Sequence, residues 1–306
     1  MGKLALVFPG QGSQSVGMGA SMALEYESAA EVYHRAAEAL GWQVDDLCFN
    51  GPEEKLNQTE FAQPALYVNS MAALAALKEH GFRADAVSGH SLGEYSALSA
   101  AGAAGFAQGL QLVARRARAM SRAARERPGS MAAILGLEDG QVEEICSRVT
   151  EVWPVNYNSP GQIVISGETG SVKSASGEAE KAGAKKVVEL AVSGSFHSPL
   201  MQEAAAEMKE YLAEVDFMDP EPPFLSSISC RYEQARGLKE LLVRQMVSPV
   251  RWRQAVEKLI ADGVDTFFEV GNGKVLCGLI KRINREVVAV NVSDPATLEK
   301  ALELIG

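Results

Sequence analysis

The stretch GHSLG sets Ser91 between Gly89 and Gly93, the G-x-S-x-G spacing of a nucleophilic serine. Such a hydroxyl attacks when a sharp strand-to-helix turn exposes it and a base takes its proton. Glycines at the two flanks let the chain turn tightly with the serine at the apex. Backbone N–H groups at the start of the following helix then point toward a developing oxyanion. The same pattern also suits a serine that merely caps the helix.

A serine nucleophile needs a base, and the chain has four histidines. His34 and His80 lie in helical segments among ordinary polar neighbours and read as surface. His90 adjoins Ser91, and at an elbow the neighbour points away from the nucleophile. His197 sits in SGSFHSPLM, a loop just before a helix. Loops held by a rigid scaffold often carry catalytic groups, although a loop histidine also suits plain polar surface. Asp139 and Asp216 fit the chain order of a third, orienting acid, yet both suit solvent equally well.

These residues require elements to position them. LALVF at 4–8 is a short apolar run ending in the glycine-rich turn PGQGSQ, and DAVSG at 85–89 is a second. Helical periodicity covers 21–40, 63–80, 92–101 and 107–125. This alternation predicts an α/β core with a mostly parallel sheet. From 130 to 191 the order becomes β-α-β-β-α-β, with strands at 130–136, 152–157, 162–166 and 185–191. That is the ferredoxin-like pattern. We therefore expect a discontinuous core over 1–127 and 195–306, α/β-hydrolase-like, with an inserted ferredoxin-like subdomain over 128–194. Beyond it, a helix is expected at 199–214, a strand at 224–228, helices at 237–247 and 252–262, and strands at 266–270 and 287–292.

Composition narrows the function classes. The 306 residues are 47% apolar, enough for a sizeable core, and the formal charge of −10 disfavours a nucleic-acid partner. Four dispersed cysteines without a CxxC pair suggest neither a disulfide framework nor a zinc site, and a reducing cytoplasm suits them. The run at 4–8 is too short for a signal core or a membrane span. No Gly-Lys-Ser/Thr follows the glycine turn, so a nucleotide-binding loop is not expected.

Seven segments, in order and correctly spaced, are similar to the malonyl-CoA:acyl-carrier-protein transacylases and their polyketide synthase relatives. They are FPGQGSQ at 8–14, TEFAQPAL at 59–66, GHSLGEYSAL at 89–98, NYNSPGQIVISG at 156–167, FHSPLM at 196–201, VRQMVSPVRW at 243–252 and EVGNGKVLCGLIKR at 269–282. The resemblance implies Ser91 as nucleophile and His197 as base, with the backbone carbonyl of Gln245 holding the imidazole instead of an acid. It implies the backbone N–H groups of Gln11 and Leu92 as oxyanion donors. It implies Arg116 as the carboxylate-binding arginine and Phe196 as the residue that crowds out a methyl branch. Malonyl-CoA, coenzyme A and acyl carrier protein are the implied substrates and partner, with no cofactor and no metal, in a cytoplasmic monomer.

Arg116 falls within an arginine run at 115, 116, 118, 122, 125 and 127, which otherwise suits a solvated basic helix. Part of that run, with Lys185 and Lys186, offers a positive face to an acidic carrier. Asn272 stands where the family commonly has proline, so a slightly altered loop is expected there. The rivals are a serine esterase or thioesterase, marked by an acid behind His197 and no cation at the acyl pocket, and a non-catalytic relative.

Overall fold

The computed structural model describes residues 2–81, 83–192 and 194–304. Its strands are β1 (Lys3–Phe8), β2 (Ala86–Gly89), β3 (Ser130–Leu135), β4 (Val152–Ser159) and β5 (Gln162–Gly167), followed by β6 (Lys186–Glu189), β7 (Phe224–Leu225), β8 (Tyr232–Glu233), β9 (Val264–Val270) and β10 (Val288–Val292). They form two sheets, ordered β10-β9-β1-β2-β7-β8 and β4-β5-β3-β6.

The first sheet is parallel except for its edge, where β8 returns antiparallel to β7. Every residue of β1 after Lys3 is buried. A strand hidden on both faces cannot alternate polar and apolar residues, which is why LALVF reads as a continuous apolar run. β1 and β2 pair in register from Ala5 with Ala86 to Phe8 with Gly89. Their carboxyl ends therefore lie side by side, and the loops leaving them start from one rim. In open parallel sheets that rim is where ligands bind.

The second sheet is antiparallel throughout. SMAAIL in β3 is almost wholly buried because it serves two cores at period two. Ala132 and Ile134 join Val142, Ile145, Val172 and Ala175 under the two helices of this segment. Met131 and Ala133, on the other face, join the large core. The second sheet is tied through the backbone to the loop before Trp252–Ala261: Tyr157 N–H donates to Val250 O, and Val250 N–H donates to Val155 O, both at 2.8 Å.

Three expected elements differ in detail. The helix at 21–40 is split, into Ala20–Glu25 and Glu27–Leu40, because Tyr26 between them is extended. The helix expected at 199–214 opens as a 3₁₀ turn over Pro199–Met201, and the α-helix runs Gln202–Ala213. The strand expected at 224–228 stops at Leu225. Ser226 and Ser227 leave the sheet to donate to the buried carboxylate of Glu94 instead. Among the described residues no helix is long and apolar enough to cross a membrane.

Candidate active site

β2 runs through Gly89 into Ser91, and the helix Gly93–Ala100 begins directly beyond. Ser91 itself takes the left-handed conformation, with φ 53. A non-glycine residue there costs about 1–3 kcal/mol and persists only when its surroundings enforce it. The flanking glycines serve close approach rather than turn freedom. A Cβ on Gly89 would lie 2.0 Å from the Gly93 carbonyl carbon, and one on Gly93 would lie 2.0 Å from Phe8 O. The elbow is thus wedged against the end of β1. Gly93→Ala is expected to destabilise the fold by about 1–3 kcal/mol or more, since backbone rather than a flexible side chain must move. Urea denaturation checks this, and a midpoint equal to wild type refutes it.

The Ser91 hydroxyl does not cap the helix, whose N-cap position is Leu92. Its Oγ lies 2.6 Å from His197 Nε2. His197 also has positive φ, at 60, and is 5% exposed. Its Nδ1 lies 2.9 Å from the carbonyl oxygen of Gln245. A carbonyl only accepts, so Nδ1 carries the proton, and Nε2 of the neutral ring is free to accept from Ser91. Burial, and then the nearby Arg116 cation, push the imidazole pKa down to about 3. The imidazole therefore rests neutral, a form able to take a proton. The two acids weighed from chain order are elsewhere: Asp139 pairs with Arg253, and Asp216 is exposed.

The helix Phe106–Glu126 turns a stripe of Leu112, Arg116 and Met120 inward while Arg115 and Arg118 face solvent. Arg116 is 1% exposed. Its Nη1 donates to Gln63 Oε1 at 2.6 Å, and Nε and Nη2 donate to Gln245 Oε1 at 3.2 and 3.0 Å. Nη2 also reaches Ser91 Oγ at 3.0 Å. All these acceptors are neutral, and no carboxylate forms an ion pair with Arg116 among the described residues. A buried guanidinium without a counter-ion, beside a serine hydroxyl, can receive an anionic group. The cavity here holds about 80 Å³ and is lined by Gln11, Gln63, Ser91, Arg116, Phe196 and His197. That is room for about two to three waters, hence for a short acyl group. Larger grooves of about 900 and 560 Å³ contain neither Ser91 nor His197.

The loop after β1 completes the site. The backbone N–H groups of Gln11 and Leu92 find no acceptor among the described residues. The Gln11 side chain is held by Thr59 Oγ1 at 3.0 Å. Asn272, from the loop after β9, donates to Ser13 O at 2.7 Å and Ser15 Oγ at 2.9 Å. The asparagine thus ties two loops together, where only an altered turn was expected.

A family profile described as an acyl transferase domain matches residues 5–297. The chain belongs to the acyl transferase family. It is 44% identical, over 100% of its length and 98% of the relative's, to the malonyl CoA-acyl carrier protein transacylase of Bacillus subtilis (strain 168). The enzyme of that name from Escherichia coli (strain K12) is 42% identical over 99% of this chain and 100% of its own. Among solved structures, an acyl carrier protein S-malonyltransferase from Vibrio cholerae matches with TM-score 0.94 at 42% identity, covering 98% of this chain and 99% of its own. A type II PKS acyl-carrier protein in complex with its malonyl-transacylase matches with TM-score 0.96 at 40% identity, covering 99% of each chain.

In this acyl transferase the residues singled out from sequence converge: Ser91, His197, Gln11, Arg116 and Phe196 line one cavity, with Leu92 and Gln245 directly behind. Three polar residues escaped the sequence reading. Gln63 bonds both Arg116 and Gln11, Glu94 bonds Gln245, and Asn158 holds His90 at 2.9 Å. All lie within matched motifs, TEFAQPAL, GHSLGE and NYNSPGQ, which were the available signal. Within the expected positive face Arg118, Arg122 and Arg127 pair with Glu60, Glu207 and Glu151, while Arg115, Arg125, Lys185 and Lys186 form no ion pair among the described residues.

Proposed function

We propose that the chain moves a malonyl group from coenzyme A to the phosphopantetheine thiol of an acyl carrier protein, in fatty acid or polyketide synthesis. The carrying observation is the buried, unpaired Arg116 whose Nη2 stands 3.0 Å from Ser91 Oγ. A carboxylate outcompetes the neutral Ser91 hydroxyl for the guanidinium, so a dicarboxylic acyl group is gripped at its far end while its thioester meets the serine.

The residues act in two half-reactions. Ser91 Oγ attacks the thioester carbonyl and its proton passes to His197 Nε2. The Gln11 and Leu92 N–H groups hold the oxyanion. The carbon–sulfur bond breaks, and the coenzyme A thiolate takes the proton from His197. The carrier thiol then gives its proton to His197 and attacks the malonyl-serine ester. Ser91 leaves with that proton, which closes the cycle. A carbonyl behind the imidazole supports the imidazolium less than an acid would, which suits thioester donors better than amides. The hydrolase alternative lacks both of its marks, since Gln245 O stands behind His197 and Arg116 occupies the pocket.

In this reading the chain has an α/β-hydrolase-like core over 1–127 and 195–306, and a ferredoxin-like subdomain over 128–194 roofs the cleft. The strand order β4-β5-β3-β6, and Met131, Asn156, Leu190 and Val192 in the cavity wall, support that division. Mixing the enzyme with malonyl-CoA and holo carrier is expected to load the carrier, followed by intact mass. Release of coenzyme A with no loaded carrier refutes transfer. Phe196, 6% exposed in the wall, sets the room beside the acyl chain. Phe196→Ala is expected to raise use of methylmalonyl-CoA relative to malonyl-CoA by about 10-fold or more, read by competition. An unchanged ratio removes that role.

A further inference from the structure

We infer that Glu94 is a positioning residue that, together with the Ser91 carbonyl, anchors the Gln245 amide and thereby aims Arg116; this rests on the reading of Arg116 above. Glu94 and Gln245 are both 0% exposed. Gln245 holds three parts of the site at once. Its backbone carbonyl accepts from His197 Nδ1 at 2.9 Å. Its Oε1 accepts from Arg116 Nε and Nη2. Its Nε2 donates to Ser91 O at 3.0 Å and to Glu94 Oε2 at 2.6 Å.

The two ends of an amide are nearly equal in size, so its partners alone decide which end faces where. Arg116 only donates and therefore demands oxygen. An ionised carboxylate only accepts and demands the NH₂. Glu94 meets that demand, and its other oxygen is saturated by Ser226 Oγ at 2.8 Å, Ser227 N at 2.6 Å and Ser227 Oγ at 3.1 Å. The network closes in one sense only. Two acceptor-only partners, Glu94 and the Ser91 carbonyl, hold the Gln245 NH₂, turn its oxygen toward the guanidinium and keep the fork beside Ser91.

Glu94→Gln is the smallest change that breaks the pattern. An NH₂ in place of Oε1 meets the Ser227 N–H, which is backbone and cannot turn. In place of Oε2 it meets the Gln245 NH₂, which can rotate away. A flip of Gln245 is closed, since its oxygen would then face Ser91 O and its NH₂ the guanidinium, so the amide swings away from 94 and draws its oxygen off Arg116. Donor confronts donor between 94 and 245, and the guanidinium loses the acceptor that aims it.

The test compares kcat/KM for acylation by malonyl-CoA and by acetyl-CoA, in wild type, Glu94→Gln, and the swap Glu94→Gln with Gln245→Glu. Glu94→Gln is expected to lower the malonyl-to-acetyl ratio at least 10-fold, chiefly through KM for malonyl-CoA. A proportional fall with both donors, leaving the ratio within twofold, overturns the inference. The swap rebuilds a donor–acceptor match between 94 and 245 but sets a carboxylate oxygen against Ser91 O, so it recovers part of the melting temperature lost in Glu94→Gln. It also sets a carboxylate on Arg116, so the ratio stays low. Recovery of the wild-type ratio along with stability shows a merely structural role and also overturns the inference, even if the single variant fails to fold. A wild type that prefers neither donor instead overturns the underlying reading of Arg116.

Discussion

Ser91→Ala is expected to leave no covalent acyl adduct after mixing with malonyl-CoA, and to cut transfer by roughly 10⁴-fold or more. The argument rests on how few alternatives the site offers. Ser91 Oγ is the group within 2.6 Å of His197 Nε2, and the four cysteines lie outside the cavity lining. Removing Oγ leaves the oxyanion donors and Arg116 in place, so malonyl-CoA still binds. Binding without attack gives no serine ester, and the carrier thiol must then react directly from coenzyme A. His197 cannot rescue that route, because its geometry serves an atom that is gone. Intact-mass analysis reads the adduct, and carrier loading reads transfer. A variant that keeps more than about a hundredth of wild-type transfer refutes a serine intermediate.

Local signals made much of this site legible in sequence. Gly89, Ser91 and Gly93 announce themselves because a strained elbow tolerates few residues, and LALVF because a doubly covered strand must be apolar throughout. Elimination among four histidines left His197 as a candidate, and the resemblance assigned it as the base with a backbone carbonyl in place of an acid. The remainder is long-range. Gln245 lies 154 positions from Ser91, and a glutamine on an amphipathic helix carries no mark of a buried hub. Glu94 lay inside the motif yet remained unremarked, since an acid in the first helical turn is ordinarily read as a solvated partner of the helix dipole. Its burial depends on Ser226 and Ser227, which leave the sheet to meet it. Arg116 stood among solvent-facing arginines, and the family resemblance singled it out; its inward position on the helix needed the fold.

Arg116→Ala is expected to collapse the preference for malonyl over acetyl by roughly 30-fold to several thousand-fold, the range of about 2–5 kcal/mol for a desolvated charge pair. Acetyl-CoA gives no anion to the guanidinium, so its acylation falls far less. The same substitution has a second signature in pH. His197 titrates at about 3, with burial the first cause and the Arg116 charge the second. Removing the cation relieves only the second, so the folded-state pKa rises toward, without reaching, the ordinary value of about 6.5. The base works when neutral, and the acid limb of kcat/KM for acetyl-CoA therefore moves to higher pH in the variant. Stability changes with the same sign. A histidine whose pKa is lower folded than unfolded binds fewer protons in the native state. Its stabilising share is complete above about 6.5 and is lost as pH falls toward about 3. Without Arg116 that window closes from its acid end, so the variant resists acid unfolding better on this account, whatever it loses in packing. A bound malonyl carboxylate neutralises the same cation and shifts His197 in the same direction. An acid limb that stays in place when Arg116 is removed separates the guanidinium from the base, and the close Arg116–Ser91–His197 arrangement then has no electrostatic consequence.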